Sequence, residues 1–217
     1  MSAGEGSTWL DRLAHDLRGP LAPLQTASYL LQREDLEPAR RAELLAMLER
    51  QTQRLARMLD ELDDWRRIGR GNLLGGLERS EMALLVDYGL VASGLAGTPV
   101  ADEGTAAEVM ADAQRMTQVL RTLLDYSLAR DGVAPALSLQ RDGSRSRLEL
   151  ALQGPAPATA EAAALFDQPQ AAPFDEGLGL RLPLAREIVR AHGGELSATI
   201  ADDRLLIRCE LPLADAR

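Results

Sequence analysis

The residues best suited to chemistry are His15 and Asp16, adjacent in a chain that holds two histidines in all. A carboxylate beside an imidazole can orient one ring nitrogen and leave the other as a nucleophile. The surroundings of the pair break local rules, because Gly19, Pro20 and Pro23 follow inside a segment of helical periodicity. Proline in a helix interior removes a backbone donor and clashes with the carbonyl four residues back, at about 3 kcal/mol. For Pro20 that carbonyl belongs to Asp16, so the disturbance falls directly after the histidine. Violations of this kind gather at functional sites. The second histidine, His192, precedes Gly193-Gly194 and reads as a helix end before a glycine turn. Cys209 alternates with Leu205, Ile207 and Leu211, the pattern of a buried strand residue rather than of a nucleophile.

Two long helices must position His15. Leu10, Ala14, Leu17, Leu21, Leu24, Ser28 and Leu31 are spaced alternately by four and three, the seam of a helical bundle. His15 follows the seam residue Ala14 and is expected on the flank of that helix, open to solvent. Charged residues from Arg33 to Glu37 lead to Pro38, a natural first-turn residue for a second helix. That helix repeats the alternation through Leu45, Leu48, Thr52, Leu55, Leu59 and Leu62, and it ends near Gly69 and Gly71. One hairpin cannot bury two seams. Two hairpins packed as a four-helix bundle can, which predicts a homodimer built on residues 1–74.

Composition narrows the partners. Acidic residues outnumber Lys plus Arg by 33 to 24 among 217 residues, a net charge of −9. That field repels nucleic acid and anionic membrane, so neither is expected as a partner. The longest apolar stretch, Met82 to Gly97, contains Asp87 and is shorter than the ~20 residues a membrane span needs. Residues 1–6 lack the basic and apolar regions of a signal peptide. One cysteine rules out an internal disulfide and fits a reducing compartment, so the expected location is the cytoplasm.

After Gly75-Gly76 the character changes, and residues 77–217 read as a second domain. Helical segments (Ser80 to Ser93, Asp112 to Arg130, Leu180 to His192) alternate with strand candidates at Ala136 to Gln140, Arg147 to Leu152, Glu195 to Ile200 and Arg204 to Leu211. Helices interspersed with mostly antiparallel hairpin strands predict an α+β class, with a sandwich in the second domain. Asp202-Asp203 is the expected tight turn between the last two strands. Gln153 to Phe174, rich in Ala, Pro and Gln, is expected to include a loop over one face.

The stretch Leu13-Ala14-His15-Asp16-Leu17-Arg18-Gly19-Pro20-Leu21 resembles the phosphoacceptor box of the two-component sensor histidine kinases. The second helix, with Arg54 to Leu62 and then Arg70-Gly71-Asn72-Leu73, is similar to the family's too. The resemblance implies a dimerising hairpin on which His15 accepts a phosphoryl group and Asp16 helps activate it. It further implies that the face around His15, with Arg18, Gly19, Pro20 and Leu24, docks the receiver domain of a response regulator. Where many members carry Thr or Asn to position water for dephosphorylating the regulator, this chain has Gly19, which has no such group. Weak or absent phosphatase activity of that type follows.

Residues 77–217 resemble the family's ATP-binding domain. Asp112 to Leu120 look like the start of its nucleotide-binding helix, and Gly177-Leu178-Gly179-Leu180 with His192-Gly193-Gly194 look like its last glycine box. The remaining boxes depart from the pattern. Thr122 and Tyr126 stand where the family has asparagines, the second of which is its magnesium ligand. Leu152 stands for the adenine-recognising aspartate, with Gly154 retained and Ala156 replacing a glycine. The segment Asp167 to Glu176, in place of the ATP lid, has no Lys or Arg. Gly154, Gly177 and Gly179 are thus candidates for a degenerate nucleotide site, with no metal and no cofactor expected. The function this implies is a histidine phosphotransfer protein that carries phosphoryl on His15 to and from response-regulator aspartates. Two alternatives stay open: a divergent autokinase using ATP and Mg²⁺, with Asp112, Asp125 or Asp131 replacing the metal ligand, or a non-catalytic dimeric regulator of a receiver or kinase.

Overall fold

The structure, a computed structural model, describes residues 3–102 and 107–215, and the side chains from residue 13 onward. The seam residue Leu10 therefore lies outside the described side chains. The chain divides into two compact units, residues 1–63 with Glu176–Leu178, and residues 64–175 with 179–217. The division falls earlier than the glycine pair at 75–76. The last part of the second helix belongs with the second unit, where Asp64 pairs with Arg115 at 2.8 Å and accepts Gln118 Nε2 at 2.7 Å.

The first unit is built on helices α1 (Ala3–Leu31) and α2 (Pro38–Ile68). Helix α1 runs through both Pro20 and Pro23. Pro38 opens α2 as expected of a residue whose missing N–H is not needed there. Past Ile68, Gly71 takes φ +67° and its N–H returns to the Ile68 carbonyl, closing the helix. The apolar side chains fully withdrawn from solvent are Ala27, Leu44 and Met58. The seam residues that follow Leu44 and Met58, Leu45 and Leu59, are 53% and 58% exposed, and Leu21, which follows the buried Pro20, is 42% exposed.

The second unit is an α/β sandwich. Its main sheet has the order β2-β4-β5-β7-β6, from β2 (Val100–Asp102), β4 (Ala136–Asp142), β5 (Arg145–Ala151), β6 (Glu195–Ala201) and β7 (Arg204–Pro212). All neighbours are antiparallel except β2 and β4. A second small sheet pairs β1 (Glu78–Glu81) with β3 (Glu108–Ala111). The helices are α3 (Met82–Ala92), α4 (Ala113–Asp131), α5 (Thr159–Ala164) and α6 (Arg181–Ala191). Alternation along β5 and β7 sends Leu148, Leu150, Leu205, Ile207, Cys209 and Leu211 into one core with Met116, Leu120 and Leu123 of α4 and Leu182 and Ile188 of α6. Off that core, Arg147 faces Glu210 and Glu149 faces Arg208 in direct cross-strand register, and both pairs are ion-paired. Asp202 and Asp203 both take positive φ, the tight turn expected between β6 and β7.

Four elements were not among the sequence candidates, and Glu108–Ala111, which does alternate, is one of them. Glu78–Glu81 and Val100–Asp102 are strands with no apolar alternation to announce them, and Ser80 belongs to β1 rather than to the helix that follows. The parallel β2–β4 pairing is the one exception in a main sheet that is otherwise antiparallel, as the mostly antiparallel reading allows. Within the Ala-rich Gln153–Phe174 stretch, Thr159–Ala164 folds as a short helix.

Candidate functional site

Helix α1 presents His15 with its side chain 87% exposed, and Nδ1 lies 3.2 Å from Oδ1 of Asp16, which is 29% exposed. With Nδ1–H donating to the carboxylate, Nε2 carries the free lone pair and points its reactivity outward. Arg18 and Gly19 are exposed, Leu24 is half-buried, and Pro20 is buried. Pro20 therefore shapes the helix from inside, and the other three offer surface. A Cβ added at Gly19 would meet nothing within 4 Å. Packing does not demand this glycine.

In the second unit Leu152, Gly154 and Gly179 are each engaged by the chain itself. Leu152 is fully buried in the core, so an apolar side chain fills the place of an adenine acceptor. Gly154 faces Asp131, whose carboxylate accepts the N–H groups of Gln153 and Gly154, both at 2.9 Å. Any Cβ at 154 would stand 2.3 Å from Asp131 Oδ1, which is what the glycine is for. Arg130 donates to the Pro155 carbonyl and holds the same turn. Gly179, at φ +77°, has the backbone of Gln170 against it, with a hypothetical Cβ 2.5 Å from the Gln170 carbonyl oxygen. Gly177 is buried and groups with the first unit.

The α4 face is also committed. Thr122 is buried and donates to the Gln118 carbonyl at 2.9 Å. Tyr126 packs edge-on against Phe174 with ring centroids 5.6 Å apart, and burial pushes its phenol up, so it stays neutral at physiological pH. A neutral phenol is a poor oxygen donor for octahedral Mg²⁺, and the Thr122 hydroxyl is spent inside its own helix. Asp112 caps α4 by accepting Arg115 N–H at 3.1 Å, and also accepts Gly75 N–H at 2.8 Å. Asp125 is paired with Arg181 at 2.9 Å. The three aspartates that could have replaced a metal ligand are thus a cap, an ion-pair partner and a loop staple.

His192 ends α6 and is structural. Its Nε2 accepts the Asp112 N–H at 3.0 Å, and the 2.8 Å contact to the Ile188 carbonyl places the proton on Nδ1. Burial holds its pKa below the ordinary value. Sequence reasoning overlooked Arg181 and Asp175. The available signal was a charged residue inside the apolar run Leu178 to Leu182, where an unpaired arginine would be costly.

Residues 7–71 match the family model of the His Kinase A (phospho-acceptor) domain. Over 208 residues the chain is 31% identical to the sensor protein KdpD of Mycobacterium tuberculosis, in an alignment that takes in 88% of this chain and 24% of KdpD. The chain thus spans about a quarter of the length of that curated relative. It is similar in structure to the histidine kinase AdeS of Acinetobacter baumannii, with 22% identity, a TM-score of 0.70, and coverage of 93% of this chain and 98% of that one. Histidine kinase ThkA, solved in complex with the response regulator protein TrrA, gives 17% identity and a TM-score of 0.72 over 94% of this chain and 61% of the other. Both structures carry the same order of a helical hairpin followed by an α/β sandwich. Among the described residues, no helix is long and apolar enough to cross a membrane.

Proposed function

We propose that this chain, which belongs to the two-component sensor histidine kinases, works as a cytoplasmic phosphotransfer protein that carries phosphoryl on His15 between receiver domains and draws none from ATP. The observation that carries the reading is that Asp112, Asp125 and Asp131 are all engaged by the chain's own groups. Those are the residues on which the autokinase alternative would draw for a metal ligand, so their engagement favours the phosphotransfer reading.

The chemistry needs only the exposed imidazole. The Nε2 lone pair attacks the phosphorus of a receiver aspartyl phosphate in line, an N–P bond forms, and the P–O bond to the carboxylate breaks as the carboxylate leaves. The reverse step delivers the group to a second receiver's aspartate. Through both steps Nδ1 keeps its proton on Asp16, and that carboxylate offsets the positive charge on the phosphorylated ring. The exposed seam of Leu21, Leu45 and Leu59 supports a working homodimer, in which a second hairpin covers it.

The test is to incubate the full chain with a purified phosphorylated receiver and to follow label on the protein beside His15→Ala. The expected result is labelling of wild type and loss of at least ~10²-fold in the variant, the scale on which removing a nucleophile acts. Equal labelling of both would overturn the proposal, and labelling of His15 by Mg-ATP alone would establish the autokinase instead.

A further inference from the structure

Arg181, the first residue of α6, ties three stretches of the second unit together. One guanidinium nitrogen lies 2.9 Å from Asp125 Oδ2 and 3.4 Å from Thr122 Oγ1, both on α4. The other lies 3.2 Å from Asp175 Oδ2. Its Cζ stands 5.1 Å from the centroid of the Phe174 ring, whose edge contact with Tyr126 returns to α4. The Arg181, Asp125 and Asp175 side chains are 20%, 25% and 13% exposed, so this ion-pair cluster is largely withdrawn from water. Without the cation, two largely desolvated carboxylates would be left without its charge.

Asp175 and Phe174 end a segment, residues 167–175, that is fastened at two more points. Gln170 donates its N–H to the Gly179 carbonyl at 3.0 Å, and Arg186 pairs with Asp167. Both of these fastenings run to α6 or to the residues directly before it, while Asp167 also donates its N–H to the Ala164 carbonyl at the end of α5. Of the fastenings, the Arg181 clasp is the one that also reaches α4.

We propose that Arg181 is an internal ligand: its guanidinium fills the acid-and-aromatic site between Asp125, Asp175 and Phe174 and straps residues 167–175 shut, so that the chain itself occupies the cleft beside α4. The proposal deepens the reading that this domain takes no nucleotide, by naming what stands in the cleft. It also names a chemistry. With the arginine truncated, the site is an anionic pocket under an aromatic face, which suits a small guanidinium ion.

Hydrogen exchange on the full chain tests it, with Arg181→Ala and Asp175→Asn beside wild type. Amides of residues 168–175 are expected to exchange about tenfold faster in both variants, equivalent to ~1.4 kcal/mol of local opening free energy, with the α4 core amides unchanged. Millimolar ethylguanidinium is expected to restore protection in Arg181→Ala and to leave wild type unaffected. Should Arg181→Ala unfold globally, Asp175→Asn keeps the Arg181–Asp125 pair and still releases the strap. Wild-type protection of residues 168–175 in Asp175→Asn, or no response of a folded Arg181→Ala to ethylguanidinium, would overturn the proposal. Labelling of wild-type His15 by Mg-ATP would instead defeat the phosphotransfer reading, whatever the exchange of the strap.

Discussion

Gly19 sits in the interior of α1, where glycine is the least favourable residue short of proline, and nothing crowds its missing Cβ. Gly19→Ala is therefore expected to stabilise the first unit by about 0.5–1 kcal/mol, read as a shift in the midpoint of urea unfolding. A loss of stability would mean that the glycine is structurally required. The same open space admits Thr or Asn, so what is missing at 19 is a polar group and not room for one. His192 gives a pH dependence of definite sign. Burial depresses its folded-state pKa below the ordinary 6.5, so its stabilising contribution is present above that value. It is lost as pH falls from there towards the folded-state pKa, because the unfolded chain takes up the proton first. Protonated His192 can no longer accept the Asp112 N–H. Wild type is expected to lose more stability than His192→Gln between pH 7.5 and 5.5, in parallel denaturant titrations. At this scale the sequence was most legible: the exposed His15 beside Asp16, the helix-ending histidine and the buried cysteine all follow from neighbours close in the chain. Arg181 did not, because its partners Asp125 and Asp175 are joined to it only by the fold.

Among the elements, the strongly periodic ones were readable and the short edge strands were not. Val100–Asp102 takes its strand identity from pairing with Leu137–Leu139 and offers three residues of evidence, too few to show a period. Glu78–Glu81 is polar throughout and owes its extension to Glu108–Ala111 across the small sheet. The two glycines of the degenerate boxes were legible as positions but not as reasons. Gly154 makes room for a carboxylate and Gly179 for a neighbouring backbone, a packing demand that the motif itself does not announce. Helix α3 carries a third case, since a Cβ at Gly89 would fall 2.5 Å from Leu120 Cβ and push the two helices apart.

For the whole molecule, the heptad spacing pointed to a second copy, and the exposure of that seam in one chain agrees with it. Leu45 and Leu59 are more than half exposed although each sits on a sustained apolar repeat. Leu59→Glu is expected to shift the protein from dimer to monomer in sedimentation. Burying a leucine contributes about 1.5–3 kcal/mol, and the change is felt once in each protomer. An unchanged sedimentation coefficient would show that the seam serves something else. Cys209 bears on how such questions can be asked. Its thiol is sealed inside the sheet and pushed up to about 12 by burial, which keeps it out of reach of maleimides and mild oxidants at neutral pH. At sulfur the chain is a spectroscopic blank. A spin label attached at an exposed position such as Tyr29→Cys would be the sole reporter in each protomer, so any dipolar distance recorded would have to arise between two copies.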